Sequence, residues 1–242
     1  MPPMPWRKRT VRTITVAEPH ETGTADGLAY ALYRPDGPAE GGVVVLHGAG
    51  SQKENHLDFA RACLAHGMAA VAFDQRGHGA TGGQLDARVL EDVATIAALL
   101  PPGPVGLRGS SMGGWLALAA AETVGAAAVV AICPASGEGL LYGMRSGRLE
   151  VPADVEALET LIPATDTTAA AAQLGDRLLL LHAEGDEIVP VQRSRELHAA
   201  APGSTLVAVP GGHHRSVQHD PELQAVSLRF LAKRLRPSRP GG

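Results

Sequence analysis

Five consecutive residues, Gly109-Ser110-Ser111-Met112-Gly113, hold the clearest potential for covalent chemistry in this chain. They follow the strand-like run Val105 to Arg108 and open the Ala-rich and Leu-rich stretch Met112 to Val124, so a serine stands where a strand turns directly into a helix. That reversal forces strained backbone angles on the central residue, and the flanking glycines leave room for strand and helix to approach. Ser111 is thereby lifted out at a helix N-terminus, where a base can reach its hydroxyl and the Met112 N–H can point at a developing oxyanion. A Gly-rich turn with an idle serine is the competing reading, and the strand before and helix after weigh against it. Ser110 is expected to be buried or turned away.

A serine nucleophile needs a base and a carboxylate that orients the base. Pro210-Gly211-Gly212-His213-His214-Arg215, on a glycine-opened loop after the last strand pattern, offers two adjacent imidazoles that would point apart in extended chain. Carboxylates stand at Glu184, Asp186 and Glu187, and at Glu138 after the sixth strand, and the competing reading of Asp186 is that it only shapes its loop or caps the helix entered through Pro190. Asp74 opens a turn, Asp74-Gln75-Arg76-Gly77-His78-Gly79. A phosphate loop at Gly48-Ala49-Gly50-Ser51-Gln52-Lys53 is disfavoured, because Lys53 occupies the third glycine position and no Walker spacing follows. A metal site from His213, His214, His219 and Asp220 lacks a second well-spaced cluster. His198 and His219 read as surface residues.

The elements that must carry these groups alternate. A hairpin of Val11 to Val16 with Leu28 to Tyr33, turning through Gly23, Asp26 and Gly27, is expected at a sheet edge. Strands follow at Val43 to His47, Met68 to Asp74, Val105 to Arg108, Ala127 to Cys133, Arg177 to His182 and Thr205 to Val209. Helices are expected at Glu54 to His66, Asp86 to Leu100, Met112 to Val124, Val191 to Ala201 and Glu222 to Leu235. Runs such as Val43-Val44-Val45-Leu46 and Leu178-Leu179-Leu180-Leu181 are apolar at every position, the mark of parallel strands covered on both faces. The expectation is an α/β fold: one eight-stranded, mostly parallel sheet in a single domain spanning 1–242. Residues 135–176, with one helix from Ala153 to Ile162, form an insertion where a lid would sit. Residues 1–10 and 236–242 read as flexible tails.

These motifs together resemble the α/β-hydrolase superfamily from about Val11 to Leu235. In that resemblance His47-Gly48-Ala49-Gly50 is similar to the loop that supplies a second oxyanion donor, which implies the Ala49 N–H. Asp74 to Gly79 is similar to a structural Asp-x-Arg-Gly-His-Gly turn. His182 to Pro190 resembles the segment in which the Asp four places after the His orients the base, which implies Asp186. Family loops place the histidine fifth from the proline, which selects His214 over His213. The order Ser111, Asp186, His214 is the superfamily's order. The resemblance implies a serine hydrolase of small to medium carboxylic esters acting through an acyl-enzyme, with no metal or organic cofactor. Thioesters or amides are alternatives on the same triad, a peracid-forming side activity is a further option, and a binding protein of the same fold is the non-catalytic one. A histidine base implies a rate that changes between about pH 5 and 8. Leu140, Leu141, Tyr142 and Met144 of the insertion are expected to offer apolar surface to the substrate, and Trp115 to lie in the core. Arg108, in the central strand, needs a carboxylate or an opening to solvent.

Composition bounds the partners. In 242 residues, 21 Lys plus Arg against 25 Asp plus Glu give a net charge of −4, which leaves no electrostatic footprint for nucleic acid or an anionic membrane. The basic residues near both ends stand among prolines and glycines and read as solvated. Neither a signal-like apolar run nor a membrane-length segment is present, and the two cysteines, Cys63 and Cys133, lie in apolar settings. A small-molecule partner, no integral membrane segment and a cytoplasmic setting are the expectations.

Overall fold

Strands whose every position is apolar are stable only when helices cover both faces, and this requirement organises the molecule. The computed structural model describes residues 16–236. Its eight strands are β1 (Glu21–Ala25), β2 (Leu28–Tyr33), β3 (Gly42–Leu46), β4 (Ala69–Phe73), β5 (Val105–Ser110), β6 (Ala128–Ile132), β7 (Leu178–Ala183) and β8 (Thr205–Val209). They join one sheet in the order β1-β2-β4-β3-β5-β6-β7-β8. β2 pairs antiparallel with β1 and β4, and all other pairings are parallel. This is the α/β-hydrolase arrangement expected from the motifs.

The nine helices of the described residues are α1 (Leu57–Leu64), α2 (Val89–Ala97), α3 (Met112–Ala119), α4 (Gly137–Arg145), α5 (Val155–Ala164), α6 (Thr167–Leu174), α7 (Gln192–Ala200), α8 (Ser216–His219) and α9 (Pro221–Leu235). Alternate strand residues separate two cores. Val43, Val45, Ala70, Val130 and Leu179 meet Phe59 of α1 and Leu228 and Leu231 of α9, whereas Val44, Leu46, Leu107, Val129 and Leu180 meet α2 and α3. Both cysteines are free and buried.

Two expectations need correction. The sequence pattern puts the first strand at Val11 to Val16, of which Val11 to Thr15 lie outside the described residues; the antiparallel partner of β2 is Glu21–Ala25. Asp26 and Gly27, at φ 48° and 78°, close a two-residue turn that pairs Ala25 with Leu28, so Gly23 sits inside the strand opposite Tyr30. The mostly exposed sequence Glu-Thr-Gly-Thr-Ala carries no apolar signal. The second correction concerns 135–176, which contains three helices rather than the one expected. Glycines hide α4, yet they let it pack: a Cβ on Gly137 would stand 2.6 Å from Ile162 Cγ2, and one on Gly143 2.7 Å from Leu149. Ser136, Asp154 and Asp166 cap α4, α5 and α6.

Candidate active site

The carboxyl ends of β3, β5, β6, β7 and β8 converge, and the strand order reverses between β3 and β5, where open parallel sheets leave a crevice. Ser111 stands there at φ 55° and ψ −117°. A non-glycine residue at positive φ is strained, and its neighbours hold it. The Ser111 N–H donates to Ile132 O at 2.9 Å, and its carbonyl accepts from Trp115 N at 3.0 Å and Ala135 N at 3.1 Å. The glycines are required by close approach: a Cβ on Gly109 would lie 1.9 Å from Gly113 O, and one on Gly113 2.2 Å from Leu46 O. Trp115, on α3 itself, is buried, as expected of a core residue.

Beside the elbow, the loop after β3 is fixed by His47, which is 1 % exposed. Its Nε2 accepts from the Gln75 N–H at 3.1 Å, which leaves the proton on Nδ1 to donate to Gly48 O at 2.8 Å. Burial lowers its pKa to about 4, consistent with a neutral ring. A Cβ on Gly48 would lie 3.3 Å from both Ser110 O and Ser111 Cβ, so the loop runs against the elbow. Among the described residues neither the Ala49 nor the Met112 N–H donates a hydrogen bond. Asp74 is structural: it accepts from Lys53 N at 2.7 Å, Lys53 Nζ at 2.8 Å and Ala80 N at 2.8 Å. Burial would raise its pKa, and the bonds from Lys53 and Ala80 outweigh that and lower it. Lys53, out of place in a phosphate loop, is the counter-ion of this turn.

Asp186 and His214 meet on the other side. Their loops are pinned backbone to backbone, with Gly185 N donating to Gly211 O at 2.9 Å, and a Cβ on Gly185 would stand 2.5 Å from Gly212 O. His214 Nδ1 donates to Asp186 Oδ2 at 2.7 Å. Oδ1 accepts from the Ile188 and Val189 N–H groups at 2.9 and 2.8 Å, and His182 Nε2 lies 3.4 Å from Oδ2. Burial alone would raise the Asp186 pKa, but the bonds from His182, His214 and the two backbone N–H groups hold it far below the usual carboxylate range. His213 lies outside this pair; its N–H and carbonyl both engage Ser216 Oγ, and its Nδ1 accepts from Arg215 N. Glu184 pairs with Arg195 at 2.9 Å, Glu138 is exposed on α4, and Glu187 is exposed on the cleft rim.

Sequence reasoning missed the support behind Asp186. His182 is fully buried, its Nε2 donating to Val189 O at 2.8 Å and its Nδ1 2.7 Å from Ser194 Oγ. The His-x-x-x-Asp spacing was its one signal. Cys133, at φ 42°, lies against the same carboxylate, and burial pushes its thiol pKa up. Among the described residues, Cys133, His182 and Asp186 are the one group close enough to share a metal ion, and the hydrogen-bonding atoms of His182 and Asp186 are already engaged within the protein. The His213, His214, His219 and Asp220 set does not converge in this way.

Ser111 and His214 line one cleft of about 590 Å³. Its wall is mixed: Ser51, Asn55, Ser110, Glu187, Gln218 and His219 bring polar groups, and Leu149 and Ile188 are the large apolar members. Ser110 is buried, as expected, but it also reaches the cleft wall, and His219, exposed as expected of a surface residue, forms part of that wall as well. The insertion residues expected to bind substrate are elsewhere. Leu140 and Met144 border a separate apolar cavity of about 20 Å³ beneath Met112, Leu141 is buried in the core, and Tyr142 is 57 % exposed. The apolar area of Leu140, Leu141 and Met144 is consumed by packing α4 and α5 on α3, Tyr142 faces away from the core, and of the insertion Leu149 reaches the cleft. Among the described residues Arg108 makes no ion pair and is buried, with Asp58 acting on it only at longer range: its Nη2 donates to Gln218 O at 2.8 Å and its guanidinium lies 3.9 Å over the Phe59 ring.

Comparison with known proteins agrees with this architecture. Residues 43–167, slightly more than half the chain, match the model of the alpha/beta hydrolase family, and residues 160–239 match that of TAP-like proteins. No curated protein matches the sequence significantly. Among solved structures, the monoacylglycerol lipase of Paleococcus ferrophilus is 20% identical with a TM-score of 0.65, covering 86% of this chain and 98% of its own. Est1E of Butyrivibrio proteoclasticus, with ferulic acid bound, is 19% identical with a TM-score of 0.67 over 90% and 100%. A carboxyl esterase of Bacillus coagulans in complex with glycerol is 16% identical with a TM-score of 0.68 over 89% and 98%. No helix among the described residues is long and apolar enough to cross a membrane. The sheet order, the strained elbow and the family match over residues 43–167 lead to one conclusion: this chain belongs to the alpha/beta hydrolase family.

Proposed function

We propose that the protein is a serine hydrolase that cleaves small to medium carboxylic esters through Ser111, His214 and Asp186. The observation that carries this reading is the 2.7 Å bond between Asp186 and His214 on the rim of the cleft that also exposes the strained Ser111. With Nδ1 committed to Asp186, the Nε2 lone pair of neutral His214 is left to take the Ser111 proton. Ser111 Oγ then adds to the acyl carbonyl carbon, and the Ala49 and Met112 N–H groups receive the oxyanion. His214 returns the proton to the departing alkoxide, leaving an acyl-serine. Water, deprotonated by the same imidazole, adds to that ester, and collapse releases the acid and restores Ser111.

The cleft joins polar groups to apolar surface from Ala49, Leu149 and Ile188, a lining that supports small to medium acyl or alkoxy groups, with each methylene buried against it worth about 0.8 kcal/mol. The ferulic acid of Est1E and the glycerol of the Bacillus coagulans esterase occupy proteins of the same fold and are in keeping with such substrates. The test is intact mass after exposure to a fluorophosphonate, on the parent and Ser111→Ala, followed by p-nitrophenyl ester turnover across acyl lengths. Labelling of the parent alone, with turnover greatest on small to medium acyl chains, is the expected result. A folded parent that takes no label would make the cleft a binding site.

A further inference from the structure

His214 is tied to Asp186 and, through Gly211, to the loop after β7, but the nucleophile belongs to β5. Among the described hydrogen bonds, two join residues 210–219 to β5, and both end on Gln218. Arg108 Nη2 donates to its carbonyl at 2.8 Å, and Ser110 Oγ donates to its side-chain Oε1 at 2.6 Å. The two donors stand three places and one place before Ser111, and the acceptor stands four places after His214, in the single turn α8.

Stability alone does not explain Arg108. It is 1 % exposed, no carboxylate lies within ion-pair distance among the described residues, and its Nε has no partner. The Phe59 ring and the more distant Asp58 only partly offset the desolvation of this guanidinium, and an apolar side chain of similar volume would serve a core better. What the arginine does provide, together with Ser110, is a rigid connection from the strand that presents the nucleophile to the segment that presents the base.

We infer that Gln218 is a positioning residue that sets the separation of Ser111 and His214, with Arg108 and Ser110 as its anchors on β5. The inference rests on the serine-hydrolase reading. Near-attack geometry is unforgiving, with an ångström of displacement able to cost about a hundredfold in rate. The base loop is tied to the loop after β7 by the Gly185–Gly211 and Asp186–His214 bonds, so Gln218 is its hydrogen-bonded link to the strand that carries the nucleophile, and cutting it lets the Asp186–His214 pair shift as a unit relative to Ser111.

The test compares Gln218→Leu, Ser110→Ala, their double variant and Gln218→Glu, which keeps an oxygen where Ser110 donates. On p-nitrophenyl acetate the single variants are expected to lose about tenfold or more in kcat with KM within about twofold of the parent. The double variant is expected to lose no more than the worse single one, because both remove the same bond, and Gln218→Glu is expected to recover most of the rate. Unchanged kcat, multiplying losses, or a loss that merely tracks the folded fraction would overturn the inference. Hydrogen exchange of residues 213–219 gives a readout independent of turnover. Should the parent prove inactive, the hydrolase reading fails; faster exchange in the variants would still support the coupling of α8 to β5, and unchanged exchange would reject it.

Discussion

Replacing Asp186 by asparagine separates the roles of charge and shape at this site. Oδ1 accepts two backbone N–H groups at 2.9 and 2.8 Å, so the amide oxygen of the new side chain must take that position; turning its NH2 there would leave donors facing donors, at about 1–3 kcal/mol for each unmatched group. The NH2 then falls where Oδ2 was, 2.7 Å from His214 Nδ1. His182 cannot relieve this, because its Nε2–H is committed to the Val189 carbonyl, which only accepts. His214 must therefore accept at Nδ1 and carry its proton on Nε2, where it needs a lone pair to deprotonate Ser111. The expected loss in kcat is about 10³- to 10⁴-fold, or about 4–5.5 kcal/mol at 1.36 kcal/mol per decade. Folding stability should fall by only about 1–3 kcal/mol, since the backbone bonds survive. Steady-state ester hydrolysis and fluorophosphonate labelling rate, read beside thermal unfolding, measure both. A folded Asp186→Asn protein within about tenfold of the parent would refute the tautomer argument, as would an equal kcat loss in Asp74→Asn at the same folded fraction.

Other consequences follow from close approach, charge and lining. Gly113→Ala should lower stability by about 3 kcal/mol or more, because its methyl would meet the Leu46 and His47 carbonyls at 2.2 and 2.6 Å, and backbone cannot step aside as a side chain can; denaturant unfolding would show it. Asp74 and Asp186 both have folded pKa values below their unfolded ones, so their contribution is complete above about pH 4 and is lost as pH falls through the folded values. Thermal midpoints should therefore decline on acidification below that point, and Lys53→Met should shrink the Asp74 share of the decline. Tyr142→Ser should leave the acyl-length profile unchanged while Leu149→Trp shortens it, since of the two only Leu149 reaches the cleft; p-nitrophenyl ester series on both variants decide this.

Much of this arrangement is legible in the residues themselves. The elbow glycines, the apolar strand runs and the motif order are local or periodic, and each states its own structural requirement: no room for a Cβ at Gly109 and Gly113, no face for water on β3 and β7. The insertion misleads because its leucines carry the same apolar signal whether they face a substrate or a neighbouring helix. Packing chose the helix, since Leu140, Leu141, Leu158 and Ile162 have α3 within reach.

The sequence by itself determined the order of elements, the exposed serine at a strand-to-helix reversal and the segments from which acid and base must come. The residues alone left His213 and His214 open and the family resemblance selected His214; the tertiary structure put its Nδ1 on Asp186, buried His182 behind that carboxylate, and brought Gln218 under Arg108 and Ser110. The division has a physical cause. Backbone strain, capping and periodicity act over a few residues and leave a mark in the chain, whereas a hydrogen bond between residues 108 and 218 depends on how two loops settle on a finished sheet, and no spacing along the chain records it.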